Sequence, residues 1–177
     1  MKIGILGAGG IAATMAATLR GMKAAGDDVE LYAIGARNKE RAEKLAVEYG
    51  FEKSYGSYEE LVSDPMLELV YIATPHSHHC EHTKLCLAHG KHVLCEKAFA
   101  ANTKQAEEMI KMAEEKGLLL TEAIWTRYMP MRQTIDDVVA SGVIGKITSL
   151  SANLGYVIHQ VERIMDPALA GGALLDL

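Results

Sequence analysis

The sequence has few cysteines, no excess of positive charge and no long apolar run, and each absence excludes a class of protein. Cys80, Cys86 and Cys95 are an odd number without disulfide-scaffold spacing, which indicates reduced thiols in a cytoplasmic protein. Lys and Arg number 18 against 23 Asp and Glu, and the net charge of −5 argues against a nucleic-acid or anionic-membrane surface. No apolar run approaches the roughly 20 residues that span a bilayer, and the glycine-rich start does not match a secretory leader. We therefore expect a cytoplasmic protein that binds no nucleic acid and no membrane.

The sequence does contain a regular alternation of two apolar patterns. Apolar residues make up 49% of 177 residues, enough for a substantial core. Short, uniformly apolar runs alternate with segments of helical period, several of which end in glycine. The predicted strands lie in KIGILGAGG, VELYAIGAR, LELVYIATP, KHVLCEK and LLLTEA. Apolar strands separated by helices predict a parallel sheet covered on both faces, so we expect a doubly wound α/β domain over residues 1–122.

The pattern changes after Glu122. A helical segment, RYMPMRQTIDDVVASGVIG, precedes KITSLSANLGYVI, whose alternation is typical of an antiparallel sheet with one open face. One such strand cannot form a sheet by itself. We expect residues 123–177 to begin a second, incomplete domain, so that the sequence is a fragment of a longer chain. The alternative is a complete chain whose last strand joins a partner's sheet.

A glycine-rich turn follows the first predicted strand. Gly7, Gly9 and Ala12 fit the G-x-G-x-x-G/A spacing of dinucleotide-binding turns. The first glycine permits a tight turn, the second lets a pyrophosphate approach the backbone, and the small third residue allows close helix packing. Gly10 and Ile11 begin the following helix, where free amides would face the phosphates. The surrounding strand–helix–strand unit favours cofactor binding over a purely structural turn.

The end of the second strand indicates which dinucleotide would bind. Enzymes that use NAD usually place a carboxylate there, against the ribose 2′-hydroxyl, whereas a positive residue accommodates the 2′-phosphate of NADP. This chain has Ala36 followed by Arg37 and Asn38, with Arg41 one turn later. The pattern favours NADP(H), with NAD(H) as the alternative. The other interpretation makes Arg37 a solvated loop residue.

A charged pair, Glu96 and Lys97, directly follows the predicted strand at Val93–Cys95. In an open parallel sheet, a lysine at the carboxyl end of a strand projects into the crevice where ligands bind. Hydride transfer at an alcohol carbon needs a partner for the hydroxyl proton within hydrogen-bond reach. Lys97 is therefore a candidate acid/base, although most lysines are simply exposed.

Several segments together resemble the glucose-fructose oxidoreductase, inositol dehydrogenase and MocA family. These are GILGAGGIA, ATPHSHH and HGKHVLCEKAFA. GARNKERAEKLA, EAIWTRYMP and GGALLDL are most similar to its dihydrodiol dehydrogenase and NADP-dependent xylose dehydrogenase branch. The resemblance implies an N-terminal Rossmann domain and a C-terminal open-faced sheet domain that binds substrate and forms a homodimer. It implies hydride transfer between NAD(P) and a sugar, polyol or trans-diol.

The resemblance also implies roles for individual residues. Glu96 and Lys97 match the family's Glu-Lys-Pro motif, but Ala98 stands where proline is usual, which leaves the orientation of Lys97 to the surrounding packing. Asp176 matches an aspartate that faces the family's active site. The residues implied to border the nicotinamide are Thr74, Pro75, His76 and His79, and those implied to line the substrate pocket are Trp125 and Arg127.

Two rival interpretations remain. His78 and His82 are spaced i, i+4 with Cys86 one turn further, a spacing that suits a zinc site on a helix. No further pair of Cys or His accompanies them, so we expect no metal. The second rival is a sensor or regulatory subunit that binds NADP(H) without turnover.

Overall fold

The computed structural model describes residues 1–157 and 160–172. Within them the chain alternates strands and helices as far as residue 122. The strands are β1 (Lys2–Leu6), β2 (Glu30–Gly35), β3 (Lys53–Tyr55), β4 (Leu69–Ile72), β5 (His92–Cys95) and β6 (Leu120–Glu122). The helices are α1 (Gly10–Ala25), α2 (Lys39–Tyr49), α3 (Tyr58–Ser63), α4 (His79–Ala88), α5 (Thr103–Lys116), α6 (Pro130–Ala140) and α7 (Glu162–Met165). Short 3-10 turns cover His76–His78, Trp125–Tyr128 and Pro167–Leu169.

The six strands form one parallel sheet in the order β3-β2-β1-β4-β5-β6. β1 lies at the centre, and the strand order reverses between β1 and β4. The carboxyl ends of neighbouring strands open a ligand crevice at such a reversal. The predicted doubly wound α/β fold is confirmed.

The sheet is buried on both faces, as its uniformly apolar strands predict. One core layer contains Leu6, Val70 and Val93, and the other contains Ile5, Ile34 and Tyr71. Alternate residues of the same strands therefore supply opposite layers. This packing holds the carboxyl ends of the strands in fixed positions relative to one another. The crevice is built on those strand ends.

Local signals in the sequence set the limits of the helices. Gly26, Gly50 and Gly117 adopt the left-handed conformation that follows a helix, as expected for helical segments that end in glycine. The Asn102 side chain accepts a hydrogen bond from the Gln105 amide at 3.0 Å and caps α5. The sequence HSHHCEHTKLCLAHG has the pattern of a single helix, but His76–His78 form a 3-10 turn and α4 starts at His79.

The chain after β6 is more exposed than the sheet domain. Within the described residues, the alternating segment 146–157 is exposed and forms no strand, which differs from the predicted strand. A strand requires a hydrogen-bonded neighbour, and the described part of the chain places none beside it. The boundary predicted at residue 122 stays a prediction. None of the helices in the described ranges has the length and apolar character needed to cross a membrane.

Candidate functional site

The glycine turn between β1 and α1 lies at the centre of the crevice. Gly7 has φ +118°, and its amide donates to the Gly35 carbonyl at 2.8 Å. A Cβ at Gly7 would lie 2.8 Å from the Ala73 carbonyl oxygen, so only glycine fits. A Cβ at Gly9 or Gly10 would meet open space, while Ala12 is buried in the core. The backbone at the start of α1 is therefore accessible to a ligand, as a pyrophosphate site requires.

Two clefts meet at this turn. One, of about 390 Å³, is lined by Gly7, Ala8, Gly9, Ala36, Arg37, Asn38, Arg41, Tyr58, Ala73, Thr74 and Pro75. The other, of about 540 Å³, is lined by Gly9, Gly10, Ile11, Thr14, Ala73, Thr74, Pro75, His76, Glu96 and Lys97. Because they share Gly9 and residues 73–75, we name them the nucleotide cleft and the reaction cleft of one crevice. The crevice brings together most of the residues predicted from the sequence.

Three predicted residues lie between the end of β2 and the first turn of α2, and all three line the nucleotide cleft. The Arg41 guanidinium donates to the Ala8 carbonyl at 2.9 Å, which joins α2 to the glycine turn. Asn38 accepts from the Arg41 amide at 2.9 Å and so caps α2. Burial raises the pKa of Tyr58, and the adjacent Arg37 partly opposes this rise. Arg37 therefore lies beside the Tyr58 side chain, and both residues line the nucleotide cleft.

The segment after β4 holds four further predicted residues. Thr74 and Pro75 line both clefts, and the Thr74 hydroxyl lies 2.9 Å from Nδ1 of His82. His76 is buried, with Nδ1 at 3.2 Å from the Ala170 carbonyl oxygen. His79 is fully buried and lines neither cleft. It lies behind the crevice wall.

His79 connects the two segments that border the reaction cleft. Its Nε2 is 2.8 Å from the Thr74 carbonyl oxygen, and its Nδ1 is 2.7 Å from that of Ala98. Burial lowers the pKa of His79, while the two carbonyls act in the opposite direction. The Phe99 amide donates to Glu122 at 2.8 Å on the other side of Ala98. Contacts from α4 and β6 thus position the chain directly after Lys97.

Glu96 and Lys97 follow β5 and face the reaction cleft. The Tyr71 hydroxyl donates to Oε1 of Glu96, and the Lys97 amide donates to Oε2 at 3.1 Å. Burial raises the pKa of Tyr71, and the adjacent carboxylate raises it further. Lys97 is half-buried and lines the same cleft as the start of α1. The Glu96 carboxylate therefore connects β4 to the backbone of Lys97.

The remaining predicted residues lie elsewhere. Trp125 is 56% exposed, and neither it nor the exposed Arg127 is among the residues lining these two clefts. Asp176 lies outside the described residues. Cys86, the third residue of the rival zinc site, is fully buried in the core, and burial raises the pKa of its thiol. It therefore points away from the exposed side of α4.

Sequence reasoning missed several residues that shape the crevice. Tyr58 and Thr14 line it, while Tyr71 and His82 hold the Glu96 and Thr74 side chains from behind. Tyr58 and Thr14 belong to helical patterns that carry no motif. Tyr71 belongs to an apolar strand. A buried tyrosine hydroxyl usually has a hydrogen-bond partner, and this was the only indication in the sequence that Tyr71 contacts a polar residue.

Comparisons with known proteins agree with this geometry. The family model described as "Oxidoreductase family, NAD-binding Rossmann fold" matches residues 1–124. A trans-1,2-dihydrobenzene-1,2-diol dehydrogenase of Macaca fascicularis is 40% identical over 177 residues, covering 100% of this chain and 52% of the relative. A D-xylose 1-dehydrogenase (NADP(+)) of Hypocrea jecorina is 41% identical over 195 aligned positions, covering 100% of this chain and 50% of the relative. The chain thus spans about half the length of these curated relatives.

A solved structure extends the comparison. A 3-ketoreductase from Actinomadura kijaniata in complex with NADP is 31% identical, with a TM-score of 0.74 over 83% of this chain and 46% of that one. The matches confirm the resemblance that the sequence segments predict. The chain belongs to the oxidoreductase family with an NAD-binding Rossmann fold, the family of glucose-fructose oxidoreductase, inositol dehydrogenase and MocA.

Proposed function

We propose that the protein is an NAD(P)-dependent dehydrogenase or reductase that transfers a hydride between the nicotinamide and a sugar, polyol or trans-diol. One observation carries the proposal: Lys97 lines the same cleft as the start of α1 and the Thr74–Pro75 segment. A proton-transferring group and a phosphate-binding helix end therefore face one space. The names of the diol and xylose dehydrogenase relatives support the substrate class.

Lys97 is the proposed acid/base. When an alcohol is oxidised, its carbon loses a hydride to the nicotinamide and its oxygen loses a proton to the lysine amine, and reduction reverses both steps. Glu96 acts as a positioning residue, because its carboxylate is bonded to Tyr71 and to the Lys97 amide. Ala98 supplies no proline ring to restrain the backbone, so the contacts to His79 and Glu122 take over that task.

The residues of the nucleotide cleft fit NADP(H) better than NAD(H), which is the alternative cofactor. Arg37 follows the end of β2, where a carboxylate would select the ribose hydroxyls of NAD, and Arg41 lies in the first turn of α2. A guanidinium pairs well with a phosphate oxyanion. The xylose dehydrogenase relative is named for NADP, and the ketoreductase structure contains it.

The quaternary structure and location are further proposals. Several apolar side chains of the chain after β6 are exposed, among them Ile135, Leu150 and Val157. A contiguous exposed apolar patch marks an interaction site, and we propose that these side chains contribute to one. We infer that residues 123–177 belong to a substrate-binding domain, that the protein forms a homodimer through this domain, and that it acts in the cytoplasm.

A Lys97→Met variant tests the proposed acid/base. We expect kcat for NADP-dependent oxidation of aldoses, polyols and trans-diols to fall by about 10²–10⁴-fold. Cofactor affinity, measured by fluorescence titration, should change little because the methionine retains the side-chain stem. Lys111→Met, at an exposed lysine of α5, is the matched control and should leave kcat unchanged.

Three outcomes would contradict parts of this proposal. Wild-type turnover in the Lys97→Met variant would rule out Lys97 as the acid/base. Failure of the wild-type protein to bind either cofactor would overturn the oxidoreductase assignment. Cofactor binding without turnover of any substrate in the panel would instead favour a sensor or regulatory subunit.

A further inference from the structure

A cluster of three side chains at the N-terminal end of α4, formed by the residue that precedes the helix and two residues of its first turn, does not line the crevice. His78, Glu81 and His82 each offer one ligand atom, and these atoms lie within 4.8 Å of one another. Their spacing is i, i+3, i+4, which places all three on one side of the helix. Two histidines spaced i, i+4 on a helix form a familiar pair of zinc ligands.

The cluster opens into a pocket that adjoins the nucleotide cleft and shares Arg37 and Tyr58 with it. This pocket, of about 430 Å³, is lined by Arg37, Gly56, Ser57, Tyr58, Glu59, His78, Glu81, His82 and Leu85. The space is large enough for an ion and its remaining water ligands. Two carboxylates, Glu59 and Glu81, face it together with one cation, Arg37. The charged side chains of the lining therefore carry a net negative charge, which favours a divalent cation.

His82 is already held as metal-binding histidines usually are. Its Nδ1 is 2.9 Å from the Thr74 hydroxyl, and in the tautomer that donates this bond the lone pair is on Nε2. A hydrogen bond to the second ring nitrogen is the usual way to orient a metal-ligating histidine. The edge contact with the Tyr58 ring, at a centroid distance of 4.7 Å, restrains the imidazole further.

His78 lies next to His82, close enough for both side chains to reach one ion. The two imidazole rings lie 5.4 Å apart with an angle of 22° between their planes. The nitrogen lone pairs of two stacked rings lie in nearly parallel planes, so the half-buried His78 side chain must rotate to direct a nitrogen at an ion bound by His82. Glu81, which is exposed, can turn its carboxylate towards the same ion.

We propose that His78, Glu81 and His82 bind a zinc-class divalent cation. Two imidazoles and one carboxylate match the three-ligand sets that zinc accepts, with a fourth position left for water. Nitrogen donors disfavour magnesium and calcium, which prefer oxygen ligands. The sequence pattern suggested Cys86 as the third ligand beside His78 and His82. Cys86 is buried in the core, so the third ligand in this proposal is Glu81.

Isothermal titration calorimetry of the purified protein with Zn²⁺ tests the site. We expect one ion per chain, and we expect Co²⁺ to show the visible absorption of a four-coordinate site. His78→Ala and Glu81→Gln replace residues that are not in the core, so these variants should fold and should each lose about tenfold or more in affinity. His82→Ala should abolish binding. Thr74→Val, which removes the orienting hydroxyl, should weaken binding by about 10–100-fold.

Controls separate this site from other histidines. His89→Ala replaces an exposed histidine just after α4 and should leave the Zn²⁺ affinity unchanged. Circular dichroism of each variant reports its folding. Absence of Zn²⁺ binding in the wild-type protein, or binding that survives both His78→Ala and Glu81→Gln, would overturn the proposal. Neither result depends on turnover, so the proposed enzyme activity is tested separately.

Discussion

Gly7 and Gly9 stand two residues apart in the same turn, and the structure gives them different tasks. Gly7 has a positive φ, and a Cβ there would lie 2.8 Å from a backbone oxygen of the neighbouring segment. Gly9 has φ −96°, which any residue adopts, and a Cβ there would meet open space. The first glycine is therefore needed for folding, and the second is needed only if a ligand approaches.

Alanine at each position should separate these two tasks. We expect Gly7→Ala to lower the free energy of unfolding by about 1–3 kcal/mol because it forces a strained backbone and a close contact. Gly9→Ala should cost less than about 1 kcal/mol, because it changes only the helix N-cap, yet it should weaken NADPH binding. Urea unfolding and fluorescence titration measure the two effects. Equal affinity for NADPH in wild type and Gly9→Ala would contradict the pyrophosphate role of this turn.

The elements at the β3 edge of the sheet are joined by one buried carboxylate. Asp64 accepts hydrogen bonds from Tyr32 on β2 at 2.9 Å, from Lys53 on β3 at 2.7 Å and from Tyr55 on β3 at 2.6 Å. The Met66 amide donates to it at 2.9 Å. Burial by itself would raise the pKa of Asp64, but these donors outweigh it and lower the pKa well below its usual value.

Replacement of this carboxylate should reduce stability in a pH-dependent way. Because the pKa of Asp64 is lower in the folded than in the unfolded state, its stabilisation is fully present above about pH 4 and is lost as the pH falls further. We expect Asp64→Asn to cost about 2–4 kcal/mol at pH 7 and progressively less below about pH 4. Urea unfolding at several pH values measures this, with the exposed Asp27→Asn as control. A cost independent of pH would show that the charge is unimportant.

At the scale of the whole molecule, the crevice separates the two halves of the sheet, so a cofactor bound there would contact both. Most of the lining comes from the loops after β1, β2, β4 and β5, and further residues come from α1, α2 and α3. A ligand that binds only the folded state stabilises it according to its concentration and affinity.

Cofactor binding should therefore raise the melting temperature, and the size of the effect should identify the cofactor. At one hundred times its Kd, either cofactor adds about 2.7 kcal/mol to the free energy of unfolding. At equal concentrations we expect a larger shift with NADPH than with NADH, because Arg37 and Arg41 lie where the 2′-phosphate would bind. Arg37→Ser should reduce this difference by about 1.5–3 kcal/mol. Calorimetry with each cofactor checks the result, and equal shifts in the wild-type protein would favour NAD(H).

Much of the crevice was predictable from the sequence because its parts lie close together along the chain. The glycine turn, the Arg37–Asn38 pair and the Glu96–Lys97 pair each follow an apolar run that reads as a strand. In a parallel sheet such strand ends meet at one edge, so their approach follows from the fold class. The alternating segment 146–157 shows the limit of this reasoning, because a strand pattern needs a neighbouring strand to become a strand.

The sequence by itself determined the parallel sheet, five of its six strands and the family, since these depend on local periodicity and on motifs of a few residues. Only the tertiary structure decided which side chains support the site. The contacts between Tyr71 and Glu96 and between His79 and Ala98 join residues 25 and 19 positions apart. Packing of α4 against the sheet also buried Cys86 and left Glu81 beside His78 and His82. The physical reason is that periodicity assigns a face to each residue, but only packing decides which faces meet.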